Sequence, residues 1–230
     1  MEVVVSNPAP QVTIRDHPDW RYLLREYYEM YRLSSAAGSA AIRNHQKVVR
    51  EAISKVIIDN PVIQHPARED KPVTRHLKRA LDEGRMEKTA NVIRAIADAL
   101  PELSWLYGYE KVPCGLSEKF AYAEVEGPQG PIVTDRVILG LVLFAPRCTY
   151  PAHSHDGLTE SYFTLSGAVS ENDNGVYAPG SLIFNPPGRM HRLTTGYHEP
   201  TLLAYASSGP REKLGAQKMA FTRSRKVRTP

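Results

Sequence analysis

Little in this sequence points to covalent staples. The 230 residues hold two cysteines, Cys114 and Cys148, far apart and without C-x-x-C spacing. That excludes a disulfide framework or a cysteine-held zinc or redox pair, and leaves buried or free thiols as the reading. Long apolar runs are missing too. None approaches the ~18 residues of a membrane span, so no segment is expected to cross a bilayer. Met1 to Pro10 has neither a basic n-region nor an apolar h-region, so no secretory signal is read and a cytoplasmic location is the expectation. A broad excess of one charge is also absent. The net charge is +4, but residues 211–230 carry seven Lys/Arg against Glu212 alone, a local +6 that leaves −2 for the rest. Such a short basic end reads as a solvated terminus rather than a nucleic-acid arm. No internal repeat or low-complexity segment is found.

What is present is ordinary for a globular chain, 42% hydrophobic and 23% charged residues, and long enough to bury a proper core. The first hundred residues read as helices. Asp16 can cap and Pro18 can sit in the first turn of a helix. Its apolar stripe is Trp20, Leu23, Leu24, Tyr27, Tyr28 and Tyr31, with charged residues mostly opposite. A second helix is expected over 40–58, ended by Asn60-Pro61. A third opens at Lys71-Pro72, and a fourth runs from Ala90 to Leu100 before Pro101. Beyond Pro101, β-branched and aromatic residues cluster in short runs between turn residues. Strands are expected over 118–126, 131–144, 158–166, 168–171, 175–178, 181–185, 190–195 and 201–207. Short strands at this spacing suggest a jelly-roll barrel. The fold class is therefore α+β, mainly β. Its divisions are a helical region over 1–105 (scaffold or dimerisation), a β-barrel over 106–210 and a basic tail over 211–230.

The informative stretch is His153-x-His155-x4-Glu160, followed by Gly180, then Pro186-Pro187-Gly188 and His191. Two histidines one residue apart on an extended strand point to one face. A turn at Asp156-Gly157 returns the chain so that Glu160 faces them, and the later turn presents His191 from across the barrel. Three imidazoles and one carboxylate suit a single Zn, Fe, Mn, Co or Ni ion. If six-coordinate, that ion keeps two positions open for water or substrate. His17, His45, His65, His76 and His198 lack such company and read as satisfied core or surface groups. Tyr162, two residues after Glu160, shares its inward face. Phenols ionise near pH 10, yet a neighbouring cation stabilises the phenolate. From the residues alone, Tyr162 is either a base or a packing and hydrogen-bonding group.

Both halves of this pattern match the two motifs of the cupins in residue type and spacing. Two departures stand out: Arg147 where the first motif opens on glycine, and Thr195 where the second closes on asparagine. The histidine–glutamate–tyrosine pattern, with His191 downstream, further resembles the cupin dimethylsulfoniopropionate (DMSP) lyases. The segments Trp20 to Arg32, Trp105 to Val112 and Ser170 to Gly180 are similar to the DddL-type branch of that family along nearly the whole chain. The resemblance implies β-elimination of DMSP to dimethyl sulfide and acrylate. In it the metal binds the substrate carboxylate, Tyr162 serves as general base, and the chain pairs as a homodimer. The sulfonium then needs an aromatic wall. Tyr150 is the first candidate, and Tyr122, Trp105, Tyr107 and Tyr109 are weaker ones, since core packing explains them as well. A dioxygenase or isomerase acting on another small carboxylate or a sugar would use the same four ligands. A ligand-sensing transcription regulator shares the layout, but residues 1–100 carry only sixteen Lys/Arg against thirteen Asp/Glu. No basic recognition helix emerges, so no nucleic-acid partner is expected.

Overall fold

The computed structural model describes residues 11–34, 38–108 and 112–216. Tyr109 and most of the basic tail lie outside the described residues. Helix α1 spans Pro18–Leu33 with Pro18 at its first position, where a missing N–H costs nothing. Asp16 does not cap it. Its carboxylate accepts from Thr13 N and Oγ1 (3.1 and 2.6 Å), closing the short 3-10 turn Ile14–Asp16 instead. Helix α2 spans Ala40–Asp59, capped by Ser39 and ended by Asn60 in the left-handed conformation. Lys71-Pro72 opens a 3-10 turn, Pro72–His76, that passes into α3, Leu77–Gly84. Helix α4 spans Ala90–Ala99. Among the described residues no helix is long and apolar enough to cross a membrane.

The strands are β1 Phe120–Gly127, β2 Ile132–Val133, β3 Ile138–Phe144, β4 Thr149–His153, β5 Thr159–Ser166, β6 Val169–Glu171, β7 Val176–Tyr177, β8 Leu182–Asn185, β9 His191–Thr195 and β10 Thr201–Ser208. They form two facing sheets, β2-β1-β3-β10-β5-β8 and β4-β9-β6-β7. The run expected as one strand over 131–144 is two. Thr134-Asp135-Arg136 interrupts it, so that β2 pairs parallel with β1 while β3 returns antiparallel. The expected extended stretch through both histidines stops at His153, and His155 lies in the loop that follows. Helices followed by a mainly antiparallel sandwich are the α+β, jelly-roll arrangement expected.

Strand alternation divides the buried residues into two cores. The outer face of the six-stranded sheet, with Leu139, Leu141, Leu143, Phe163 and Ala204, packs on the helices. The α1 stripe is spent there. Trp20, Leu23, Leu24, Tyr27 and Tyr31 are fully buried within the single chain, each large apolar side chain contributing about 1.5–3 kcal/mol. The Tyr27 hydroxyl donates to the Gly140 carbonyl at 2.7 Å, and the Tyr31 ring meets Phe163 edge-on at 5.0 Å. Any dimer must therefore use another surface than this stripe. The inner face, with Phe120, Val142, Phe144, Tyr150, Tyr162, Ile183, Leu193 and Tyr205, fills the barrel.

The two departures from the cupin motifs are accommodated locally. Arg147 takes the left-handed conformation (φ 57°) that a glycine would adopt, and its N–H donates to the Gly196 carbonyl at 2.8 Å. The Thr195 hydroxyl accepts from Cys148 N and donates to the Ala145 carbonyl, both at 2.9 Å, tying the two motifs together. Cys114 and Cys148 are free, the first exposed and the second buried.

Candidate metal centre

Three strands and one loop deliver the candidate ligands. His153 ends β4, His191 opens the β9 strand paired with it in register, Glu160 projects inward from β5, and His155 reaches in from the intervening loop. Gly157, at φ +72°, lets that loop turn. Each of the four residues offers a donor atom, these atoms all lie within 4.8 Å of one another, and all four side chains are buried. Glu160 Oε2 stands 3.1 Å from His155 Nε2 and 3.2 Å from His191 Nε2.

The backbone orients two of the rings. His153 Nδ1 lies 2.9 Å from the Pro151 carbonyl, and His191 Nδ1 lies 3.2 Å from the Arg189 carbonyl. A carbonyl only accepts, so each Nδ1 carries a proton, which leaves Nε2 as the ring atom that faces the centre and could serve as a ligand. His153 Nε2 is buried and has no hydrogen-bond partner among the described residues. A buried lone pair without a partner is costly, and a cation at the centre would satisfy it. The electrostatics agree. Burial, then the neighbouring His191, pushes the His153 imidazole down to about 4, so it stays neutral. Burial raises the Glu160 carboxyl, but His155 and His191 outweigh it and hold the group well below its ordinary range. Burial likewise works to lower His155, and the Glu160 charge reverses the sign. An ionised carboxylate among imidazoles is a donor set suited to a borderline divalent ion.

Tyr162 is buried in the next row along β5, its ring centroid 6.2 Å from that of His191 and 6.5 Å from that of Tyr205. Tyr150 is also brought to the cluster: its ring meets His153 edge-on at 4.8 Å and Phe120 at 4.5 Å. Tyr122 lies on the inward face of β1, partly buried against the barrel core, where burial pushes its phenol up to about 12. Tyr107 borders that core, with its hydroxyl donating to the Ser117 carbonyl at 2.8 Å and Lys71 Nζ 5.0 Å from its ring. Trp105 is not brought to the cluster. It is buried in the other core, between sheet and helices.

The structure also assembles residues that sequence reasoning missed. Register places Glu124 of β1, Gly140 of β3, Tyr205 of β10 and Tyr162 of β5 in one row across the inner face. Gly140 makes the row possible. A Cβ there would lie 2.6 Å from the Tyr205 ring and 2.3 Å from the Ala123 carbonyl oxygen. Burial, and then the Glu124 charge, holds the Tyr205 phenol well above its ordinary value. Burial pushes the Glu124 carboxyl up to about 7 against a 2.6 Å hydrogen bond from Gln129 N. The readable signal was an acid at an inward position of a strand. Behind β5 a second set meets: Ser161 Oγ lies 2.8 Å from both Tyr31 Oη and His45 Nε2, and His45 Nδ1 lies 2.9 Å from Ser208 Oγ.

Comparison with known proteins bears on the chain's fold and kinship. Residues 45–203 match the model of the dimethylsulfoniopropionate lyase family. A protein of Cereibacter sphaeroides bearing the provisional name dimethylsulfoniopropionate lyase DddL is 49% identical over 224 residues, covering 97% of each chain. Among solved structures, the DMSP lyase DddQ from Ruegeria pomeroyi superimposes with a TM-score of 0.66 at 19% identity, over 90% of this chain and 97% of that one. A chain from the crystal structures of the DMSP lyases RdDddP and RnDddQII gives 0.63 at 17% identity, over 89% and 98%. The structural likenesses establish a shared fold, and the sequence matches establish kinship: the chain belongs to the dimethylsulfoniopropionate lyase family.

Proposed function

We propose that this protein cleaves DMSP by β-elimination to dimethyl sulfide and acrylate, with Tyr162 as general base. The observation that carries the reading is the buried cluster of His153, His155, Glu160 and His191 with a phenol in the adjacent row. Those four residues would hold one divalent ion of the Zn, Fe, Mn, Co or Ni type, which would supply Lewis acidity toward the substrate carboxylate. The protein's own groups do the rest. Tyr162, as phenolate, takes the proton from the carbon next to the carboxylate. The electron pair of that C–H bond becomes the new C=C bond, and the C–S pair leaves on sulfur. Sulfur passes from sulfonium to neutral sulfide, so no general acid is required. Tyr162 returns its proton to solvent before the next turnover. Aromatic faces accommodate the departing cation at about 0.5–2 kcal/mol each. Tyr150 and Tyr122 are better placed for this than Tyr107, while Trp105 lies behind the sheet. The helical region acts as a scaffold that fixes β5 and β10 from behind, and a cytoplasmic homodimer completes the reading.

Headspace gas chromatography tests it. Purified protein should release dimethyl sulfide from DMSP, and chelator should stop it. Tyr162→Phe should keep its metal and lose on the order of 100-fold or more in rate, the usual contribution of a general base. His153→Ala and His191→Ala should lose both metal and turnover. The rate should rise toward alkaline pH until phenolate formation is complete; an acidic optimum would argue against Tyr162. Absence of gas with every divalent ion tried would refute the lyase reading, and oxygen uptake with another small carboxylate would favour the dioxygenase.

A further inference from the structure

Strand register sets a second row across the inner face, directly at the candidate metal ligands. Ser207 of β10 lies opposite Glu160 on one side, and Asn185 of β8 lies opposite it on the other. Both face the barrel interior. The intervening neighbour Phe184 points the other way, onto the His45 ring at 5.7 Å, and Ser208 meets the same histidine at 2.9 Å. Asn185 is 1% exposed and Ser207 0%, yet neither amide atom of Asn185 nor the Ser207 hydroxyl has a hydrogen-bond partner among the described residues. Opposed side chains start about 5 Å apart at Cβ, so Glu160 is within reach of Asn185 and still does not engage it. An amide buried at both ends without partners costs more than an apolar side chain of the same size. Its retention beside the ligands points to a partner that comes from outside the chain.

We propose that Asn185 and Ser207 form the carboxylate-binding side of the substrate site, a role that rests on the lyase reading above. DMSP has two ends. The dimethylsulfonium group offers no oxygen or nitrogen acceptor, so the amide N–H and the hydroxyl O–H have nothing to donate to there. The carboxylate accepts, and the Asn185 amide N–H and the Ser207 O–H both donate. Neighbouring strands lie ~4.8 Å apart, which puts the two residues about 10 Å apart at the backbone. The two thus flank Glu160, and each is placed to donate to one edge of a carboxylate drawn to a cation held at the candidate site. A neutral amide suits the position because an acid there would repel the same carboxylate. The methylated cation is left the aromatic wall beyond the ligands, where Tyr150 stands between His153 at 4.8 Å and Phe120 at 4.5 Å.

The test uses the metal-loaded enzyme and two half-substrates: acrylate, which carries the carboxylate alone, and ethyldimethylsulfonium, which carries the cation alone. Calorimetry should show acrylate affinity falling about 10-fold in Asn185→Ala, a few-fold in Ser207→Ala, and further in Asn185→Asp. Ethyldimethylsulfonium inhibition and metal content should stay at wild-type values. Asn185→Ser, smaller and still polar, is read the same way should the alanine variant fail to fold. Unchanged acrylate affinity in the Asn185 and Ser207 variants would overturn the assignment, as would an active wild type that does not bind acrylate. Loss of metal from Asn185→Ala would also overturn it, by assigning the residue to Glu160 instead. A wild type that releases no dimethyl sulfide sinks the lyase reading itself, whereas an active wild type whose variants bind acrylate normally sinks only this subsite.

Discussion

His45 gives the sharpest test of the connection between helices and barrel. Burial pushes its imidazole down to about 4, with the Glu160 charge pulling weakly the other way, against an ordinary 6.5. Because the folded value lies below the unfolded one, the unfolded chain takes up the proton first. Stability is therefore intact above about pH 6.5 and is lost as pH falls through the window down to about 4. The shift is worth about 3 kcal/mol in full, and about 2 kcal/mol of it is spent between pH 8 and pH 5. His45→Gln keeps a donor and an acceptor but does not titrate. At pH 8 the variant should be less stable by about 1–2 kcal/mol, since it disturbs hydrogen bonds to Ser161 and Ser208. At pH 5 that deficit should vanish or reverse. Urea unfolding of both proteins at the two pH values measures the change, and contributions from the other histidines cancel in the difference. A gap between the proteins that is the same at pH 8 and pH 5 would show that His45 is not held neutral by burial.

Glu126 is fully buried, neither carboxyl oxygen has a hydrogen-bond partner among the described residues, and burial raises it to about 8. A folded value above the unfolded one leaves stability intact below about pH 4.5 and erodes it as pH rises to about 8. Glu126→Gln should thus gain on the wild type with rising pH, by up to about 4 kcal/mol at pH 8; parallel stability curves would contradict this. Gly140→Ala drives a methyl group into the Tyr205 ring and the Ala123 carbonyl. It should cost about 1–3 kcal/mol and alter near-ultraviolet tyrosine dichroism, and a variant that melts like the wild type would be contrary to the packing described. Adding a divalent ion to chelator-treated protein should raise Tm, by the equivalent of about 4 kcal/mol at a thousandfold excess over Kd. No shift with any of the five candidate ions would remove the metal from the site.

What could be read in advance was what local spacing encodes. The α1 stripe, the helix stop at Asn60 and most strand limits follow from periodicity and turn residues a few positions apart. That these four side chains come together, His153, His155, Glu160 and His191, was legible for a related reason, since the first three fall in one short stretch and His191 follows a recognisable turn. Less legible were features made by pairing between distant segments. Glu124 meets Tyr205 only because β3 lies between β1 and β10, with Gly140 vacating the space between them. Asn185 and Ser207 become neighbours of Glu160 only through register. Asp16 was misplaced because its carboxylate closes the preceding 3-10 turn onto Thr13, which leaves His17 at the N-cap of α1. Trp105 looks like a site aromatic from its sequence neighbours, whereas it lies in the connection ahead of β1, its backbone N–H bonded to the Glu69 carbonyl and its ring in the core against the helices.

The candidate ligands come from both sheets, and that ties the complete set to the last steps of assembling the barrel. As the chain leaves the ribosome, His153, His155 and Glu160 emerge together, but His191 follows only after β6, β7 and β8 have been made. Until β9 pairs with β4, His191 is not held beside the other three candidate donors. Closing that pair adds the fourth donor and buries the cluster in one event. The complete four-donor set therefore exists only where β4 and β9 are paired, so the candidate site and this edge of the barrel stand or fall together.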